Sequence, residues 1–246
     1  MKVLTVYAHP DPRSFCHAVL QEFTRGLHDA GHTSEVLDLY AMRFDPVLRK
    51  RDLPNYLPDA NAPDVAERVM RERVLGGTAG PIERLVARAM VRDKSPVEAV
   101  TILRRRGPRD VRRHQEKVAS AQGLAFISPV WVAGFPAMLK GWIERVLTLG
   151  FAFSLTSEGW RGDLGGRLPL MRHEKALIIN TTLFDEAAYR AGVGEAMRAS
   201  IDEFALEYRG IRRVEHVYFY AVNMADKETL QGYLERAYLL GKEFAA

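Results

Sequence analysis

Three short stretches of this 246-residue chain carry residue types suited to chemistry: HPDPRSFCH (9–17), SPVWVAGFP (128–136) and TTLFDEAAY (181–189). In the first, Ser14 stands where a helix N-cap belongs, so the backbone N–H groups of Phe15, Cys16 and His17 can meet an anion at the positive end of the helix dipole. The His9, Ser14 and His17 side chains offer further donors. A plain cap at Ser14, with His9 bonded to a nearby carbonyl, accounts for the same residues equally well. In the second stretch, Pro129, Trp131, Gly134 and Pro136 hold the backbone in a fixed non-helical path. That presents a flat apolar surface and free N–H groups to a planar, electron-accepting ring. A lone Trp at a strand end is more often a core residue, so Trp131 alone decides little. In the third stretch, Thr181, Thr182 and Tyr189 supply hydroxyls. A phosphate-bearing tricyclic ring, a flavin, needs this combination.

Each stretch follows an apolar run with strand character. KVLTVYA (2–8), TSEVLDLY (33–40), LAFISP (124–129), KALIINTT (175–182) and VEHVYFYAV (214–222) read as strands, and helices are expected over 15–30, 136–149, 189–208 and 227–244. Strands separated by helices pair in parallel through right-handed crossovers. The expected fold class is α/β, a doubly wound five-stranded parallel sheet, in which ligands sit outside the carboxyl ends of the strands. Residues 49–113, with helices expected at 64–75, 81–92 and 96–106, make the link between the second and third strands far too long for a simple crossover. They read as a helical insertion within a single domain spanning 1–246. Residues 154–172 read as a surface loop.

Composition narrows the choices. There is no apolar run of about 18 residues, and the first ten residues turn polar too early for a signal-peptide core, so a soluble cytoplasmic protein is expected. The single cysteine, Cys16, permits no intrachain disulfide and no thiolate cluster, and a partly buried free thiol is expected there. Between Arg49 and Arg113 stand 16 Lys/Arg against 9 Asp/Glu, so the basic pI of about 9.2 is a local property of the insertion. The insertion lacks interleaved aromatics for base stacking, which argues against a nucleic-acid partner. The chain has no GxxxxGK[ST], GxGxxG, GxSxG or HExxH, so a P-loop, the standard dinucleotide fingerprint, a hydrolase elbow and a zinc protease site are all excluded. No metal site is expected. His28, His32 and His114 are expected on helix ends or solvent faces, and Arg145, like Lys140 and Glu144, in local ion pairs. His173 and His216 adjoin Glu174 and Glu215, but successive strand residues face opposite ways, which disfavours shared sites.

The runs HPDPRSFCHAVLQEFTRGLHDAGH, DLYAMRFDPVL, SPVWVAGFPAMLKGWIERVLTLGFAF and ALIINTT resemble the NAD(P)H quinone oxidoreductases of the DT-diaphorase and modulator-of-drug-activity group, in the flavodoxin-like superfamily. The similarity covers roughly residues 1–50 and 114–222, with LKGWIERV its most specific piece. It implies the sheet order 2-1-3-4-5 and a bound FAD, with FMN the alternative. It also implies NADPH or NADH as electron donor, a quinone-like acceptor and a homodimer. His9, Ser14, Phe15 and Cys16, with His17 beside them, match the pyrophosphate loop. Pro129, Val130, Trp131, Val132 and Ala133 match the loop under the flavin ring. Thr181, Thr182, Leu183 and Phe184 match a Thr-Thr-Gly-Gly segment, and Tyr189, with Thr182, the position where charge on the ring is relayed. Phe153 matches a substrate-lining tyrosine, and Trp131 would also meet substrate. The chain departs from the pattern where Leu183 and Phe184 replace two glycines and Glu195 replaces a histidine. Trp131 lies one place early, and the 49–113 link is longer than in the family.

Other readings are a nitro, azo or flavin reductase, and a flavin-bearing regulatory subunit of a membrane transporter, the one case in which membrane contact is expected. A flavodoxin-type one-electron carrier is disfavoured by the net charge of +4.

Overall fold

The computed structural model describes residues 1–69, 93–105 and 107–245. Two compact units emerge, the first made of Met1–Val47, Glu116–Ile143 and Arg172–Ala246, the second of Leu48–Gln115 and Glu144–Met171.

The first unit is built on β1 (Lys2–Tyr7), β2 (Thr33–Asp38), β3 (Gly123–Pro129), β6 (Lys175–Thr181) and β7 (Arg213–Phe219). They form one parallel sheet in the order β2-β1-β3-β6-β7. The sheet has the order expected from the sequence, the last two strands being numbered six and seven because a small hairpin intervenes. Strands β3 and β6 are buried at every position. That explains why they read as continuous apolar runs rather than alternating ones: helices cover both faces of a parallel sheet.

Helix α1 (Phe15–Asp29) presents Val19, Leu20, Phe23 and Leu27 to this core. The i, i+4 and i+1 spacing of these residues places them on one stripe. The final helix of the chain, Lys227–Lys242, packs beside α1, and the Phe23 and Phe244 rings meet edge to face with centroids 6.1 Å apart. At their crossing the backbones touch through glycine. A Cβ added to Gly26 would lie 2.0 Å from the Tyr238 carbonyl oxygen, and one added to Gly241 would lie 2.1 Å from that of Phe23.

Residues 186–209 are helical, but not as the expected α-helix over 189–208. The segment opens at Glu186, where the Asp185 carboxylate accepts from the Ala188 N–H at 3.0 Å, and is π-wound over Tyr189–Val193 and again over Arg198–Leu206. Gly192, at φ 128°, interrupts it with a conformation that side-chain-bearing residues rarely adopt. Periodicity does not show this, because the two π stretches, five and nine residues long, are too short to establish a repeat of their own.

The second unit contains the helical pieces Pro63–Val69, Pro96–Arg105 and Arg109–Ser120, the last of which continues into the first unit. The helix expected at 81–92, and most of that at 64–75, lie outside the described residues. The stretch 154–172 is not a plain loop: β4 (Phe153–Leu155) pairs antiparallel with β5 (Arg167–Pro169). The unit buries an ion-pair network. The Arg145 side chain is fully buried; its Nε and Nη2 donate to Asp52 Oδ1 at 3.1 and 3.0 Å, and its Nη1 to Asp110 Oδ2 at 2.9 Å. Instead of the local ion pair expected for it, Arg145 makes buried long-range ones. His114, expected on a surface, is also buried. Helical spacing alone does not tell which polar residues of a helix a second layer covers.

No helix among the described residues is long and apolar enough to cross a membrane.

Candidate functional site

The carboxyl ends of β1, β3 and β6 are adjacent in the sheet, so the segments leaving them must converge. A cleft of about 590 Å³ opens there, lined by His9, Ser14, Phe15 and Cys16 from the first, by Pro129, Val130, Trp131, Val132 and Ala133 from the second, and by Thr181, Thr182, Leu183, Phe184 and Tyr189 from the third. Its size lies within the range typical of small-molecule sites.

At the first segment Ser14 caps α1: its Oγ accepts from the His17 N–H at 3.2 Å. That bond removes the His17 N–H from the set available to an anion, leaving those of Phe15 and Cys16 without intrahelical acceptors. His17, expected at the site, does not line the cleft. Its ring stands edge-on to Tyr7, centroids 5.6 Å apart, with Nδ1 buried and unpartnered. His9 folds back locally, its Nδ1 3.0 Å from the Asp11 N–H that donates to it, while its ring faces Trp131 with centroids 6.3 Å apart. Cys16 is buried, more fully than expected, and burial pushes its thiol up to about 12 against a weaker opposing hydrogen bond from Thr181. It is a neutral wall residue rather than a nucleophile.

The second segment is a tight hairpin. The Trp131 N–H donates to the Gly134 carbonyl at 3.0 Å and the Gly134 N–H to that of Trp131 at 3.2 Å. Between them Val132 and Ala133 both take positive φ, 52° and 51°. This is the dihedral pattern of a primed turn, normally filled by Asn and Gly. A β-branched residue here is strained, and such strain gathers where backbone must face a ligand. Val132 is fully exposed and Trp131 is 43% exposed. Pro129 and Pro136 bracket the turn.

The third segment is tied to its neighbours. The Val130 N–H donates to the Thr181 carbonyl at 2.9 Å, linking the second and third walls. The Thr182 hydroxyl donates to the Phe184 carbonyl at 2.7 Å and accepts from the Ala221 N–H at 3.3 Å, so it also shapes the loop that holds it. Leu183 and Phe184 are about three-fifths exposed and form an apolar lip. Tyr189 is 5% exposed; burial raises its phenol above the ordinary range, with the Thr182 hydroxyl beside it pulling the other way. It stays protonated at neutral pH and can donate.

Val193, Val222 and Asn223 complete the lining. Val222 and Asn223 follow β7, a fourth strand end at the same edge, which the three-loop reading did not use. Phe153 belongs to the second unit, on β4 opposite Pro169.

The donor set suits a phosphate-bearing flat ring. Two free N–H groups stand at the start of a fifteen-residue helix, a strained turn exposes backbone, and Trp131, Val130, Leu183 and Phe184 offer apolar walls. Among the described residues no three His, Cys, Asp or Glu side chains are grouped to hold a metal ion.

Known proteins share this architecture. A ribosyldihydronicotinamide dehydrogenase [quinone] of Pongo abelii is 32% identical over 170 residues, 69% of this chain and 61% of the relative. An uncharacterized NAD(P)H oxidoreductase of Haemophilus influenzae is 23% identical over 238 residues, 96% of this chain and 92% of the other. The solved NAD(P)H:quinone oxidoreductase of Methanothermobacter marburgensis superposes with a TM-score of 0.70 at 27% identity, covering 99% of this chain and 98% of that one. The matched stretch spans under two thirds of the first curated relatives' own length. A family model described as flavodoxin-like fold matches residues 1–239, and the chain belongs to that family.

Proposed function

We propose that this chain is a flavin-dependent NAD(P)H oxidoreductase acting on quinones or related acceptors such as nitro and azo compounds, with FAD as its flavin and FMN as the alternative. One observation carries the reading: three strand-end segments, one opening a helix N-terminus, enclose a single cleft with apolar walls at the carboxyl edge of a doubly wound sheet. The named activities of the quinone reductases similar to the chain support it.

The bound flavin would supply hydride exchange, accepting from NAD(P)H and delivering to the acceptor at N5 in alternate half-reactions, which gives ping-pong kinetics. The chain's own residues bind and orient. Phe15 and Cys16 N–H groups would hold the phosphate tail in the field of α1. Trp131 and the 132–133 turn would face the ring, and the Leu183–Phe184 lip would keep water from it. Tyr189 keeps its hydroxyl proton and directs it at charge developing on the ring edge. Nicotinamide and acceptor would use the same exposed face in turn.

The test is spectral and chemical: purified protein is examined for flavin absorption, its cofactor released and chromatographed, and NADPH and NADH oxidation followed with a simple benzoquinone. Parallel initial-rate lines and a released flavin support the proposal. Colourless protein that neither takes up flavin nor oxidises NAD(P)H overturns it.

A further inference from the structure

Behind Tyr189 lies a second recess, lined by Tyr189, Arg190, Gly194, Glu195, Arg198, Asp202, His216, Tyr218 and Tyr220. At its floor His216 is held on both ring nitrogens. Nδ1 lies 2.8 Å from Asp202 Oδ1, and Nε2 lies 2.8 Å from Asn180 Oδ1. The Asn180 amide nitrogen is already committed as donor, to the Ser128 carbonyl at 2.9 Å and the Ser128 hydroxyl at 3.1 Å, so Nε2 must be the donor to Oδ1. Nδ1 therefore decides the state of the ring. With a proton it donates to Asp202; without one it accepts from the Tyr218 hydroxyl, 3.2 Å away. The Tyr218 ring lies on His216, centroids 4.2 Å apart, and also against Tyr189, centroids 4.7 Å apart. Tyr189 is thus a wall of both the recess and the main cleft.

The other charges around the recess are largely occupied. Arg190 pairs with Glu186 at 2.7 Å, Arg198 pairs with Glu203, and Glu215, on the opposite face of β7, turns to Lys175 at 3.0 Å. Glu195 remains at the recess wall, and Tyr220 completes the tyrosine cluster. Burial, with the Asp202 charge second, drives the Tyr218 phenol above its ordinary range, so Tyr218 stays a neutral hydroxyl that can pass a proton without being ionised.

We propose that the Asp202–His216 pair is a proton-supplying positioning pair for the main cleft, acting through Tyr218 and Tyr189. The proposal rests on the oxidoreductase reading. Reduction of a quinone to a hydroquinone by NAD(P)H consumes one hydride, from NAD(P)H, and one proton from outside the two reactants. That proton leaves Nδ1 of His216; hydroxyl protons shift along Tyr218, water in the recess and Tyr189 to the acceptor oxygen; solvent in the open recess returns a proton to His216. No electron moves through the pair, and Asp202 stays a carboxylate throughout.

The experiment uses the holoenzyme with NADPH and a benzoquinone, comparing wild type, His216→Gln and Tyr218→Phe between about pH 5 and 9, where an imidazole changes charge. Thermal melts and flavin content check folding. In both variants kcat falls about ten-fold with KM unchanged, and the pH dependence of kcat flattens. A second readout needs no turnover: the His216 ring nitrogen resonances, followed by NMR, report the hydrogen bonding of Nδ1 and change in Asp202→Asn and in Tyr218→Phe. Unchanged kcat and pH profile in well-folded His216→Gln overturn the proposal and leave the oxidoreductase reading standing. Wild type without quinone turnover sinks that reading first; a ring resonance indifferent to Asp202→Asn and Tyr218→Phe then overturns the pair on its own. Should His216→Gln not fold, Tyr218→Phe and the NMR spectra decide.

Discussion

Tyr189 sets a buried, protonated hydroxyl in the cleft wall. Its ring is clamped between Tyr218 and Tyr220, at 4.7 and 5.4 Å, and burial keeps the phenol protonated. A fixed donor removed from a developing charge costs less than a lost reactant, so Tyr189→Phe should slow reduction of the bound flavin by NADPH by tens of fold, about 1.4 kcal/mol or somewhat more, while flavin still binds. Stopped-flow measurement of the reductive half-reaction checks this; an unchanged rate removes Tyr189 from the mechanism. At this scale residue type and loop position were enough to bring Ser14, Trp131 and Tyr189 to one cleft, while His17 lies off it, because capping by Ser14 and packing on Tyr7 depend on where α1 meets the sheet. The sequence did not single out His216 and Asp202, which are fourteen positions apart and meet only when the 186–209 segment folds back over β7.

The elements place these residues by close approach. Helix α1, whose first N–H groups open on the cleft, lies backbone to backbone on the final helix at Gly26. Gly26→Ala would drive a methyl group against the Tyr238 carbonyl, 2.0 Å from the ideal Cβ, which flexible side chains cannot relieve. A loss of about 1–3 kcal/mol is expected, read from denaturant midpoints, despite alanine's better helix propensity. A neutral or stabilising outcome would show that the helices part easily. The strands and their order were legible because each run of buried apolar residues is bounded by turn residues and separated by a helix. The π winding of 189–193 and 198–206, the β4–β5 hairpin and the strained turn at Val132 were not. Each defies local propensity and exists because neighbouring structure imposes it.

At the scale of the whole molecule, stability rests on two buried polar sites, one in each unit. In the second unit, Asp52 neutralises a fully buried guanidinium; Asp52→Asn takes from Arg145 its fully buried carboxylate partner and should cost about 3–5 kcal/mol, measured by thermal or chemical unfolding. In the first unit His173 is buried, with Nε2 2.9 Å from the Val118 carbonyl, and burial lowers its affinity for a proton. The unfolded chain therefore protonates before the folded one. Its contribution is fully present above the ordinary histidine value of about 6.5 and is lost as pH falls below it. Melting temperature should drop between about pH 7 and 5, and His173→Gln should shrink that drop; an equal drop in the variant would assign it to other groups.

The central claim is that the three strand-end segments hold a flavin, and Trp131 stands in the cleft wall as a built-in reporter. The most direct measurement is equilibrium titration of flavin-free protein with FAD and, separately, FMN, following quenching of tryptophan fluorescence and the shift of the flavin absorption bands in wild type and Trp131→Phe. The account predicts saturable binding of one flavin per chain, with quenching largely lost in the variant. Addition of either flavin without a spectral change, or binding that leaves the tryptophan signal untouched, would contradict it.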